Sequence, residues 1–207
     1  MKIHKLNLGE LRANCYIVET APGKCVTIDL GGDADYFMRF LTEHRLKLSK
    51  ILLTHGHFDH IGGVEEVRAK TGAEVYIHAD DAKMLTSAEY SLARGMSLHS
   101  FTPVTDWTAV WGDCFINDGN CSFKVIHTPG HSQGSVCYVC EKVIFSGDTL
   151  FRCSVGRTDF PGSNPIDMQN SVRKLYLLEG NYDVLPGHNE QTTLDFERKM
   201  NPFMKGL

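Results

Sequence analysis

Hydrophobic residues along the chain fall into short blocks that switch between a strand period and a helix period. Residues 2–8, 14–20 and 24–30 alternate or run apolar over strand lengths, separated by Gly9 and by Ala21-Pro22-Gly23, which predicts a three-stranded meander. After Gly31-Gly32, the residues Phe37, Phe40, Leu41 and Leu46 take helical spacing, with Asp33 where an N-cap is expected. Residues 50–54 form a continuous apolar run, predicted as a buried strand; a helix is expected over 61–70, a strand over 74–78 and a helix over 80–92. The stretch 100–120 is turn-rich, and its aromatics between Phe101 and Trp111 suit either a substrate groove or packing. Strands follow at 122–127, 135–140 and 142–146. A helix from Pro165 to about residue 178 is capped by Asn164, a strand covers 182–185, and a last helix over 192–200 stops at Pro202. Strands, helix, strand, helix and strand thus occur in two rounds, which predicts an α/β fold with two sheets face to face and helices outside.

Length and composition narrow the class. At ~150 residues per domain, 207 residues fit one domain over 1–207, and 42% hydrophobic with 22% charged residues is globular. Nothing approaches the ~20 apolar residues of a membrane span, and the first ten residues lack a secretory pattern, so the expected location is the cytoplasm. A net charge of -4 without a basic run argues against nucleic acid as a partner. The seven cysteines are an odd number and are expected to be reduced, without a structural disulfide. Cys137 and Cys140 have C-x-x-C spacing, but on a strand positions i and i+3 face opposite sides, which weakens the reading of a non-enzymatic metal-binding or redox module. Cys153 is the thiol to check against the site.

Histidine changes the picture. Five of the ten, His55, His57, His60, His131 and His188, sit in Gly- or Pro-punctuated loops, whereas His4, His44, His78, His99 and His127 are expected bystanders. His55-Gly56-His57-Phe58-Asp59-His60 follows a buried strand; in an extended loop His55 and His57 point the same way, and Asp59 and His60 turn toward a second point, which suits two metal ions. Three later strand ends carry Thr128-Pro129-Gly130-His131, Ser146-Gly147-Asp148 and Pro186-Gly187-His188. Five His and two Asp offer nitrogen and oxygen donors, a catalytic set suited to two divalent ions, zinc first, with iron or manganese compatible. Two ions ~3.5–4 Å apart make hydroxide available at neutral pH, and the implied reaction is hydrolysis.

These motifs resemble the metallo-β-lactamase fold superfamily in order from Asn14 to His188. Within it, Thr54 to His60, Gly147-Asp148-Thr149-Leu150-Phe151 and Val155-Gly156-Arg157-Thr158-Asp159-Phe160 resemble the glyoxalase II group, the hydroxyacylglutathione hydrolases. The ending through Glu197-Arg198 to Asn201-Pro202-Phe203 is similar to its short, single-domain members. The resemblance implies an αββα sandwich of two mixed β-sheets flanked by helices. It assigns His55, His57 and His131 to one metal, Asp59, His60 and His188 to the other, and Asp148 to a bridge. It implies a small-molecule thioester substrate such as S-lactoylglutathione, with Asp59 and Asp148 as catalytic carboxylates and a thiolate leaving group that needs little acid help. A bridging Asp148 argues against a true β-lactamase. Asp29 is a candidate partner orienting a ligand histidine, or alternatively a turn cap. Arg157 is a candidate for a substrate carboxylate, or alternatively a surface arginine.

Two-domain glyoxalase II enzymes add a helical domain for glutathione, for which the 19 residues after His188 leave no expected room. The resemblance also extends to persulfide dioxygenases, which bind one iron through two His and one Asp. Here those ligands would come from His55 or His57, His131 and Asp148. The Pro186-Gly187-His188 loop favours the hydrolases.

Overall fold

The computed structural model describes residues 1–96 and 101–207. The first sheet is built entirely from residues 2–110: β1 (Lys2–Leu8), β2 (Ala13–Ala21), β3 (Lys24–Ile28), β4 (Lys47–Leu52), β5 (Glu74–His78) and β6 (Thr108–Val110), in that spatial order. The meander β1-β2-β3 is antiparallel, whereas β3 to β6 run parallel. Parallel neighbours need crossovers. Two of these carry α1 (Ala34–Glu43), and the pair α2 (Phe58–Ile61) and α3 (Val64–Thr71).

The second sheet comes from the carboxy-terminal half: β7 (Phe115–Asp118), β8 (Cys121–His127), β9 (Val136–Cys140) and β10 (Val143–Gly147). A small hairpin of β11 (Leu150–Phe151) and β12 (Ser154–Val155) precedes α4 (Pro165–Tyr176), β13 (Asp183–Pro186), β14 (Thr192–Thr193) and α5 (Leu194–Met200). The order β14-β13-β10-β9-β8-β7 is mixed, with β10 and β13 parallel across α4.

Strand alternation divides the core into three layers. Tyr16, Val18, Val26, Ile28 and Leu52 face Phe123, Val125, Tyr138 and Phe145 between the sheets. Ile17, Leu41, Phe37, Val64 and Val67 pack the first sheet against α1 and α3, and Cys137, Ile144, Val172, Leu175 and Leu194 pack the second against α4 and α5. The result is the αββα sandwich, and Cys137 and Cys140 indeed belong to different layers. Among the described residues, no helix is long and apolar enough to cross a membrane.

Several local expectations are corrected. Asp33 is the N-cap residue of α1, as expected, but with a left-handed φ of 49° its side chain makes no capping hydrogen bond; its carboxylate instead accepts from the Gly9 amide at 2.8 Å. The helix expected over 61–70 is two helices broken at Gly62-Gly63, where the chain passes against the backbone of Gly31 and Gly32 too closely for side chains. The helix expected over 80–92 is a 3-10 helix ending at Thr86, started by the His78 side chain accepting from the Asp80 amide. Phe101 and Trp107 pack against the outer core of the first sheet, rather than lining the cleft at the strand ends. His99 lies outside the described residues.

Candidate metal centre

Every candidate ligand stands where a strand's carboxyl end runs into a turn, so the strands of both sheets aim their loops at one place. After β4, His55 and His57 lie in a loop, His57 with extended backbone, and Asp59 and His60 lie on the single turn of α2, not in the continuous loop expected. After β8 comes His131, after β10 Asp148, and after β13 His188.

The rings and carboxylates converge. His57 Nδ1 lies 2.9 Å from His131 Nε2, His60 Nε2 lies 3.2 Å from His188 Nε2, and His188 Nε2 lies 3.0 Å from Asp59 Oδ2. Asp148 sits between the two groups, with Oδ1 3.5 Å from His60 Nε2 and Oδ2 3.6 Å from His131 Nε2 and 3.7 Å from His188 Nε2. Three overlapping triplets, His55/His57/His131, His55/His60/Asp148 and Asp59/His60/His188, hold their donor atoms within 4.8 Å of one another.

A second layer of hydrogen bonds fixes which atom the His55, His60 and His131 rings present. Buried Asp29, at the end of β3, accepts from the Thr54 amide, the Thr54 hydroxyl and His60 Nδ1, each at 2.8 Å. Because the Thr54 hydroxyl spends its one hydrogen on Asp29, its oxygen, 3.1 Å from His55 Nδ1, must accept from that ring. His55 Nε2 is then left with a bare lone pair, and it is buried without a partner, as is Asp148 Oδ1. His131 Nδ1 donates to the Arg157 carbonyl at 2.9 Å, which turns its Nε2 inward. Orphaned buried polar atoms are costly unless something satisfies them. Here that something must be electrophilic, because nitrogen lone pairs and carboxylate oxygens meet at short range; the donor set fits two divalent ions.

Charge points the same way. Burial, followed by neighbouring imidazoles, holds His55 well below the usual histidine range and His57 at about 3, so both are neutral and free to ligate at pH 7. At His60, burial pulls down, but Asp59, Asp29 and Asp148 outweigh it and lift the ring to about 10. Burial would likewise raise Asp59, but His60 and the His188 hydrogen bond hold its carboxyl below the usual range. The cluster therefore carries excess negative charge that a cation would neutralise.

Backbone geometry sets the loops. Asn14 holds the His188 turn through its amide to the Gly187 carbonyl at 2.7 Å and its side chain to the Pro186 and Asn189 carbonyls at 2.8 and 3.1 Å. At Gly187 a Cβ would strike the Asp148 carboxylate and the His60 ring, so only glycine lets this turn reach the cluster.

One residue that motif reading missed is Asp81. Buried, it accepts from the Gly56 amide at 3.2 Å, the Ser132 hydroxyl at 2.6 Å and the Gly134 amide at 2.7 Å, tying the His55–His57 loop to the His131 loop. Burial raises its pKa despite these donors. Arg157 is drawn to the cleft, but its guanidinium is held by Asp159 through Nε at 2.6 Å and Nη2 at 2.7 Å. Cys153 is exposed and does not line the cleft.

His78, Asp80 and His127 also gather donors, but the two rings stack 4.0 Å apart and 11° from parallel. Nearly parallel ring planes cannot share one in-plane ion, and His127 Nε2 is already committed to the Gln133 carbonyl at 2.9 Å. His4 pairs with Glu19 at 2.8 Å, and His44 stacks on Phe40.

Asp29→Asn tests the second layer. Asn tolerates the left-handed φ of 57° at this position, so the backbone should persist. Metal affinity and turnover should nevertheless fall about 10- to 100-fold. Metal titration followed by calorimetry checks this, and wild-type affinity in the variant would contradict the orienting role.

A family model described as Metallo-beta-lactamase superfamily matches residues 8–188. Hydroxyacylglutathione hydrolase GloC of Haemophilus influenzae is 31% identical over 210 residues, covering 99% of this chain and 98% of the relative. Among solved structures, BLEG-1 B3 metallo-beta-lactamase is 35% identical with a TM-score of 0.89, covering 99% of this chain and 100% of that one. TTHA1623 in a di-iron-bound form is 35% identical with a TM-score of 0.87, covering 97% of this chain and 99% of that one.

Proposed function

The chain belongs to the metallo-beta-lactamase superfamily, and we propose that it is a dinuclear metal-dependent hydrolase of small-molecule thioesters. The observation that carries this reading is the convergence of five imidazoles and two carboxylates around buried, partnerless His55 Nε2 and Asp148 Oδ1. His55, His57 and His131 would hold one ion, Asp59, His60 and His188 the other, and Asp148 would stand between them. When bound, the ions polarise a carbonyl and lower the pKa of water enough to supply a nucleophile near pH 7. Zinc is the expected metal, and the di-iron relative makes iron the first competitor.

The chain's own residues do the rest. Asp59 stays ionised beside His60 and His188, so it can accept a hydrogen bond from water and orient it. Asp29 and the Arg157 carbonyl hold the His60 and His131 rings in place, which spares reorganisation during the reaction. A thiolate with a reference pKa near ~8.5 departs without an acid, which suits a site whose Asp59 carboxyl is held ionised. The similarity to GloC supports a thioester as the scissile bond. The seven free thiols fit a reducing cytoplasm.

The test is a metal count on the purified protein alongside a panel of thioesters, including S-lactoylglutathione, with a β-lactam added because of the likeness to BLEG-1. Close to two metals per chain and thiol release are expected. Faster hydrolysis of the lactam than of every thioester would overturn the thioester reading. So would one iron per chain with oxygen uptake on a persulfide and no thiol release.

A further inference from the structure

Building on the thioester reading, we propose that the cleft beside the donor cluster selects substrates with an extended apolar acyl arm, and that Arg94 meets an anionic group on their thiol half. The cleft encloses about 1030 Å³, at the upper end of the ~300–1,000 Å³ typical of drug-sized ligands. It is far larger than a two- or three-carbon acyl group requires.

Its walls beyond the ligands are largely apolar: Leu11, Phe58, Leu92, Phe151, Val155 and Phe160. Leu11 is 45% exposed at the cleft, so part of this surface faces water until something covers it. A peptide-like thiol rich in charges would leave that surface uncovered, whereas an alkyl chain would cover it.

The charges are equally selective. Two arginines line the cleft, and they differ in their partners among the described residues. Arg157 is bound at both prongs by Asp159 and lies over the Phe160 ring at 4.1 Å. Arg94, at the start of the last 3-10 turn before residue 97, makes no ion pair among the described residues, not even with Glu89 on the same wall. An unpaired guanidinium in an apolar cleft offers paired donors to a carboxylate or phosphate.

The experiment uses the metal-loaded protein and thioesters of 3-mercaptopropionate with acetyl, butanoyl, hexanoyl and octanoyl arms. The hexanoyl arm is repeated on the corresponding neutral amide thiol and on a thiol ending in a phosphate. In the wild-type protein kcat/KM should rise about three- to fourfold per methylene, mainly through KM. Arg94→Ala should cost about tenfold on the carboxylate or the phosphate thiol, whichever is the better substrate, and leave the amide unchanged. A flat or falling chain-length series with measurable thiol release overturns the apolar arm, while leaving thioester hydrolysis standing. Equal losses on charged and neutral thiols overturn the role of Arg94. Absence of thiol release from every member overturns this proposal; the thioester reading falls with it only if S-lactoylglutathione is left uncleaved as well.

Discussion

Asp148→Asn is expected to lower kcat/KM by about three orders of magnitude, the scale of one lost transition-state interaction of ~4 kcal/mol, while the fold persists. The carboxylate lies within 3.7 Å of donor nitrogens from both halves of the cluster, His60 on one side and His131 on the other. Asparagine keeps the shape but removes the charge and turns one oxygen into a hydrogen-bond donor facing imidazole nitrogens. It should therefore bind less metal as well as turn over slowly. Elemental analysis and steady-state kinetics on the same preparation check both effects, with circular dichroism reporting the fold. A variant that keeps full metal content and activity would remove Asp148 from the bridging position.

The second large effect is that of stripping the metal. Chelation should abolish hydrolysis and lower the melting temperature by about 10 °C, the shift for a chain this long when a ligand at a thousand times its Kd, worth ~4 kcal/mol, is withdrawn. The sign follows from the cluster itself. Without cations, His55 Nε2 and Asp148 Oδ1 stay buried and unsatisfied, and three carboxylates crowd around His60. Adding back zinc, iron(II) or manganese one at a time, with scanning calorimetry and thiol release as readouts, ranks the metals. An unchanged melting temperature would show that the donors are not a metal centre.

How much of this was legible in the sequence depended on distance along the chain. His55, His57, Asp59 and His60 crowd into six positions, and His131, Asp148 and His188 each follow a Gly-containing turn, so residue type and spacing alone exposed them. The strands over 2–8 and 74–78 and the Asn164 cap were legible for the same reason, because alternation and capping are local. Asp81 was invisible, since its three donors lie 25, 51 and 53 positions away and nothing around it forms a motif. Asp33 does stand at the N-cap, but the local rule cannot see Gly9, 24 positions earlier, taking the carboxylate that would otherwise cap the helix. Gly62-Gly63 read as part of a helix because the neighbour that requires both glycines, the Gly31-Gly32 backbone, belongs to another segment.

The division of the two sheets has a mechanical consequence. Residues 2–110 supply all of one sheet and residues 115–193 all of the other. The candidate ligands divide along the same line, His55, His57, Asp59 and His60 in the first half and His131, Asp148 and His188 in the second. Ions held between them would act as a reversible staple across the sandwich, closing long loops much as a crosslink would. Neither half owns a complete candidate site, so tight metal capture would report that the two halves have docked in register, and chemistry at that site would switch on only once the whole chain has folded.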